Sequence, residues 1–183
     1  VRIDVDGWIQ GVHQVPSPNV DQRPLEAVID LLVIHNISLP PGEFGGPYIE
    51  ELFCNRLNPQ AHPYFKGIAH LKVSSHLLIR RDGEIIQFVP LTQRAWHAGE
   101  SSFCGRSCCN DFSIGIELEG SDDLPFTEAQ YAALTEVSQL ILLAYPSITL
   151  ERIAGHSDIS PGRKTDPGEA FDWARYRQNL PIT

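Results

Sequence analysis

Ile29-Asp30-Leu31-Leu32-Val33-Ile34-His35 is the stretch that decides the fold. Four consecutive aliphatic residues, two of them β-branched, read as a strand buried on both faces. Such a strand belongs in the middle of a sheet covered on either side. Working outward, Ser75–Arg80 and Glu84–Val89 flank Arg81-Asp82-Gly83, which reads as a hairpin. In Phe112–Leu118 the residues Phe112, Ile114, Ile116 and Leu118 alternate with Ser113, Gly115 and Glu117, and Glu119 continues the second set. Thr127–Tyr145 reads as a long helix. Thr127 and Gln130 form its capping box, Leu134, Val137, Ile141 and Ala144 make its apolar stripe, and Pro146 ends it. A strand before His156 and a short helix over 171–179 complete the order. The expected class is α/β (α+β): a central mixed β-sheet flanked by helices, in a single domain over residues 1–183.

Composition bounds the function. The chain has 183 residues, 42% of them hydrophobic and 20% charged, which suits one soluble domain with a sizeable core. Lys and Arg number 14 against 23 Asp and Glu, giving a net charge of −9. This balance argues against nucleic acid and against an anionic membrane surface. The longest apolar stretches, Leu31–Ile34 and Leu140–Tyr145, are too short to span a bilayer. Val1–Asp6 shows no apolar run of a secretory signal, so the expected location is cytoplasmic. Cys54, Cys104, Cys108 and Cys109 are expected as reduced thiols, and the spacing of the last three does not suit a thiolate zinc site.

Two loops stand out. Residues 36–67 carry Pro40-Pro41-Gly42, Gly45-Gly46-Pro47 and Asn58-Pro59, with one short helix expected around Ile49–Asn55. Long loops in compact domains usually serve function, and this one is expected to fold over a ligand. The segment Gly155–Gly168 is too rich in Pro and Gly for a helix or a central strand, yet it holds His156, Lys164 and Asp166. His35 at a strand end, with His156 and Asp166 on one later loop, makes three nitrogen and oxygen ligands. That number leaves a fourth position for water, as in a catalytic zinc site. Glu117 and Glu119 both project from the polar face of their strand, and alternation does not choose which is functional. Lys164 is either a solvated lysine or a cation placed to stabilise an oxyanion. His76 reads as structural or as a support behind a metal ligand, and His97 as a wall of the pocket.

The chain resembles the zinc-dependent N-acetylmuramoyl-L-alanine amidases related to phage T7 lysozyme and peptidoglycan-recognition proteins. The resemblance lies in Leu32–Gly46, Val73–His76 with Arg80–Gly83, Arg94–Gly99, Asn110–Gly120 and the His156–Gly168 loop. It implies one zinc ion held by His35, His156 and Asp166. It implies Glu117, not Glu119, as the catalytic carboxylate, and Lys164 as the catalytic lysine. It implies a substrate pocket involving Asn36, Tyr48, Lys72, Trp96 and Arg106. The reaction it implies is hydrolysis of the lactyl–L-alanine amide of 1,6-anhydro-muropeptides. Water activated at zinc attacks, Glu117 moves its proton, and Lys164 with zinc stabilises the oxyanion. Cytosolic peptidoglycan recycling, a link to β-lactamase induction and a monomeric state are implied alike. Lys72 departs from the family pattern, where an arginine is expected to grip a peptide carboxylate, and Cys108 stands where a basic residue is expected. Two alternatives stay open on the residues alone: a binding module for cell-wall fragments on the same fold, and a zinc peptidase, though no H-E-x-x-H occurs.

Overall fold

The computed structural model describes residues 2–180. In chain order its strands and helices are β1 (His13–Gln14), β2 (Val20–Asp21), β3 (Leu31–Ile37), α1 (Tyr48–Phe53), β4 (Leu77–Ile79) and β5 (Ile85–Gln87). There follow β6 (Arg94–Ala95), β7 (Ser102–Phe103), β8 (Arg106–Ser107), β9 (Ser113–Glu119), α2 (Glu128–Ala144), β10 (Ile153–Gly155), α3 (His156–Ile159) and α4 (Trp173–Gln178). Six strands form one sheet in the order β1-β5-β4-β9-β3-β10. All its pairings are parallel except the β4–β5 hairpin, so the sheet is mixed, as expected.

One face of this sheet is given over to packing. Leu32 and Ile34 of β3, Ile114, Ile116 and Leu118 of β9, and Leu77 and Ile79 of β4 meet Leu134, Val137 and Ile141 of α2 and Tyr176 of α4. Burying each such side chain contributes roughly 1.5–3 kcal/mol. Gln130 ties the helix start to the sheet. Its Oε1 accepts from Thr127 N–H, completing the capping box, and its Nε2 donates to the carbonyls of Ile79 and Glu119 at the ends of β4 and β9.

The opposite face is covered by irregular chain. Leu31 and Val33 pack with Ala98, Cys109, Phe112 and Ile159. Farther along, Ile49, Leu52, Phe53 and Phe65 pack on Leu78, Ile86 and Phe88. The 36–67 segment thus has its own buried anchor. It is also pinned by charge: Arg80 donates to Glu50 (2.7 Å), to the Gly46 carbonyl (3.0 Å) and to Glu119 (3.2 Å), while Glu119 accepts from Gly45 N–H (2.6 Å).

Three sequence expectations shift. The strand at Ile29–His35 runs instead over Leu31–Ile37, because pairing with β9 continues through Asn36. Phe112 does not share the face of Ile114. It closes a 3-10 turn ahead of β9 with ψ near 12°, so the two-residue alternation does not reach back to it. The His156–Gly168 loop opens with a helical turn, α3, which the Asp158 carboxylate caps by accepting from Gly155 N–H at 2.7 Å. Pro161 lies just beyond its end.

Replacing Gln130 by Ala should leave two buried strand carbonyls and one helix-start amide without their partner. The expected loss is about 2–4 kcal/mol, read as a lower urea-unfolding free energy at an unchanged slope. A loss below about 0.5 kcal/mol would show that water replaces all three bonds.

Candidate metal centre and cavity

Register places the chemistry. In the parallel β3–β9 pair His35 stands opposite Glu117, and in the β3–β10 pair Gly155 stands opposite Ile34. His156, the next residue, therefore emerges beside His35 at the carboxyl ends of the strands. Ligand sites in sheets with parallel strands gather at this end. The loop then returns: the Asp166 carbonyl accepts from Ser157 N–H at 3.0 Å, which brings the Asp166 side chain back to the two imidazoles. Asp122 holds this return from the other side. It accepts from Thr165 Oγ1 (2.5 Å) and from Asn36 Nδ2 (2.7 Å), and its carbonyl accepts from Ala170 N–H (2.9 Å). Gly168 is needed here, because its φ is +83° and a Cβ would lie 2.1 Å from Asp122 Cα.

His35 Nδ1, His156 Nδ1 and Asp166 Oδ2 form a near-equilateral triangle with sides of 3.0, 3.1 and 3.1 Å. His156 Nε2 lies 3.0 Å from the Ala98 carbonyl, an acceptor, so its proton belongs on Nε2 and its Nδ1 offers a lone pair. Burial lowers the His35 pKa to about 4, so His35 is neutral at physiological pH. A carboxylate oxygen and two imidazole nitrogens crowded together are costly unless a cation sits among them. Zinc bonds of about 2.0–2.1 Å in tetrahedral geometry place ligand atoms roughly 3.3 Å apart. The triangle fits within a few tenths of an ångström, and its donor set suits zinc. Among the described residues these three form the one such group of His, Cys, Asp or Glu side chains. The four cysteines are free and lie outside this group.

The triangle opens on a cavity of about 370 Å³. Asn36, Trp96, His97, Glu117 and Lys164 line it together with His156 and Asp166. The pocket-wall position expected for His97 is thus observed. Glu117 is 8% exposed, and its Oε2 is buried without a hydrogen-bond partner. Burial, aided by the nearby Asp166 charge, pushes its pKa well above the ordinary 4.5. Glu119, its rival by alternation, is occupied by Arg80, Gly45 and Arg81 N–H. A larger groove of about 620 Å³ lies between α2 and the β1–β5 edge, but no comparable set of convergent groups lines it. Chemistry, not size, selects the site.

The structure separates the other expected pocket residues. Tyr48 packs its ring on Phe65 at 4.8 Å and does not line the cavity. Lys72 is exposed between Leu71 and Val73, which do line it. Arg106 lies at the opposite end of the sheet: it pairs with Asp30 (2.6 Å), just ahead of β3, and stacks over Phe112 (3.7 Å). Cys108, exposed with φ +60°, ends the same hairpin. Sequence reading missed the apolar wall made by Leu52, Phe53, Tyr64, Ile68 and Leu71. The 3-10 turn Pro63–Gly67 builds part of that wall, and His62 caps it by accepting from Tyr64 N–H (3.1 Å). A His-Pro pair was the one local signal for that turn. His76 is structural, as read: its Nδ1 accepts from Gly115 N–H (3.0 Å).

Comparison with known proteins gives this arrangement its class. Residues 25–169 match the family model of N-acetylmuramoyl-L-alanine amidase. The 1,6-anhydro-N-acetylmuramyl-L-alanine amidase AmpD of Escherichia coli K12 is 60% identical over 171 residues, covering 93% of each chain. Its counterpart from Haemophilus influenzae is 55% identical over 95% of each chain. A crystal structure of an AmpD selenomethionine derivative superposes with a TM-score of 0.96 at 57% identity, covering 99% of this chain and 100% of that one. AmiD from E. coli, solved with the substrate anhydro-N-acetylmuramic acid-L-Ala-D-γ-Glu-L-Lys, gives 0.62 at 30% identity, covering 86% of this chain and 60% of that one. The chain belongs to the N-acetylmuramoyl-L-alanine amidase family. It is therefore an N-acetylmuramoyl-L-alanine amidase, which sets aside the binding-module and peptidase alternatives.

Glu117 yields a pH test in chelator-treated protein. A carboxyl whose pKa is raised on folding destabilises the fold once pH exceeds its unfolded value near 4.5, and the penalty grows until pH reaches the folded value. Glu117→Gln should therefore melt at the same temperature as the unaltered chain near pH 4 and progressively higher above it as pH rises toward 8. A constant difference across that range would show that Glu117 is not a desolvated carboxylate.

Proposed function

We propose that this chain is a zinc-dependent amidase that cleaves the bond between the lactyl group of a 1,6-anhydro-muropeptide and L-alanine, in cytoplasmic recycling of cell-wall fragments. One observation carries the mechanism: the unpartnered Glu117 carboxylate shares a cavity with the His35–His156–Asp166 triangle. The substrate class follows the relatives that match over nearly their whole length. Free thiols, including the buried Cys109, are in keeping with a reducing compartment. No helix among the described residues is long and apolar enough to cross a membrane.

His35, His156 and Asp166 would hold the zinc. When bound, zinc supplies Lewis acidity toward a carbonyl oxygen and acidity to water. Glu117 takes a proton from the attacking water, a task helped by its raised proton affinity. It then delivers the proton to the alanine nitrogen as the C–N bond breaks. The Lys164 ammonium, on the same cavity wall, balances the negative charge that forms on the carbonyl oxygen. Asn36 is held by Asp122 and its Nδ2 also donates to the Pro167 carbonyl, so it keeps the ligand loop in place beside the substrate. Trp96 is steadied by donation from its Nε1 to Asp21 (3.1 Å) and offers a flat apolar wall to a sugar ring. Lys72, Tyr48 and Arg106 would reach substrate only through a longer peptide or a rearranged loop.

The test is turnover of a 1,6-anhydro-muropeptide followed by mass spectrometry. Lactyl–alanine cleavage should disappear with a chelator and return with zinc. Glu117→Gln should keep stoichiometric zinc and lose about 10²–10⁴-fold in kcat. Lys164→Ala should keep zinc and lose about 10²–10³-fold. Asp166→Ala should lose zinc itself. Full activity in chelator, or Glu117→Gln within threefold of the unaltered enzyme, would overturn the mechanism. Cleavage of intact peptidoglycan in preference to the anhydro-muropeptide would overturn the substrate class.

A further inference from the structure

His35 is 1% exposed, and its Nδ1 is the atom turned to Asp166 and His156. For Nδ1 to offer a lone pair, the ring proton must sit on Nε2. A buried N–H needs an acceptor. His156 meets that need with the Ala98 carbonyl. His35 turns instead to another imidazole: its Nε2 lies 2.8 Å from His97 Nδ1. His97 Nε2 in turn lies 3.0 Å from Ser113 Oγ. A relay of donors from His35 to His97 to Ser113 leaves the ligating lone pair free.

The surroundings are built for that relay. Asn110 Oδ1 accepts from the backbone N–H groups of His97 (3.1 Å) and Ala98 (2.8 Å), fixing the stretch that carries the ring. The ring itself lies against Gly115 in the middle of β9. A Cβ there would stand 2.6 Å from both Cγ and Nδ1 of His97. Glycine weakens a central strand and is found where something must approach closely. Here the approaching group is the imidazole whose Nδ1 faces His35 Nε2.

We infer that His97 is a positioning residue for the metal centre: seated on Gly115 and locked by Ser113, it holds His35 in the tautomer that presents Nδ1 to zinc. This rests on the metal-site reading above. Partners that orient a ligating histidine typically govern metal affinity by roughly 10–100-fold.

Zinc affinity of the full chain, measured by competition with a chromophoric chelator, tests it. His97→Ala should bind zinc roughly 10–100-fold more weakly, with the melting temperature of the metal-free protein as the check on folding. His97→Asn, whose Oδ1 takes the place of Nδ1, should recover most of that loss. Gly115→Ala should weaken binding in the same direction, because the ring must move. His97→Ala within twofold of the unaltered chain, or His97→Asn no better than His97→Ala, would overturn the assignment. Nitrogen NMR of the unaltered zinc-loaded protein decides the matter even if the alanine variant fails to fold. It should show protons on Nε2 of both His35 and His97, and a proton on His97 Nδ1 would overturn the relay. His156→Ala is the control: if it binds zinc as tightly as the unaltered chain, the metal-site reading fails and the relay with it. If His156→Ala loses zinc while His97→Ala keeps it, the relay alone fails.

Discussion

Parallel pairing of β3 with β9, His35 opposite Glu117, is the constraint on which the cavity depends. A slip of one residue would send either side chain to the face packed under α2, since side chains alternate strictly along a strand. Such a slip is opposed by Leu32, Ile34, Ile114, Ile116 and Leu118, which would all leave the core together. The positions of the ligand and the carboxylate are thus enforced by apolar burial on the other side of the sheet. Pairing with β10 extends the same logic to His156. Only Asp166 arrives by loop, and it is tied by backbone bonding at Ser157 and by the Asp122 clamp.

Electrostatics then divides two glutamates that the sequence pattern leaves equivalent. Glu119 sits between Arg80 and the backbone of the 36–67 segment, where its charge is fully answered. Glu117, two residues earlier, is buried with one oxygen unanswered. Its burial costs stability and raises its proton affinity, the property that the proposed proton transfer calls for. Arg80 and Glu119 also mean that the wall of the cavity is fastened to the sheet that carries the ligands.

Much of this was legible in the chain. The apolar run of β3, the alternation of β9, the hairpin at Arg81-Asp82-Gly83 and the capped helix α2 follow patterns of two and 3.6 residues, and each was found within a few residues of its place. The triangle of His35, His156 and Asp166 needed two distant histidines and an aspartate on one glycine-rich loop, and the resemblance to a known family singled the three out. What escaped was set by tertiary contact. Arg106 pairs with Asp30 and turns from the cavity, the apolar wall comes from a segment with no period, and the place of Gly115 is defined by the His97 ring, 18 residues earlier in sequence. Only the resemblance separated Glu117 from Glu119 in the sequence; the physical difference is Arg80, which no local pattern links to either.

In β3 and β9 Leu32, Ile34, Ile114, Ile116 and Leu118 meet the helices, while Leu31, Val33 and Glu117 meet the irregular chain and the cavity, which Asn36 also lines at the strand end. Two texts are interleaved on the same strands, one for folding and one for chemistry. Variation in the covering loops can therefore reshape the cavity while the scaffold stays untouched. The same interleaving leaves His35, Gly115 and Glu117 little freedom, because the His97 ring lies against Gly115 and beside His35, and Glu117 is buried in the cavity.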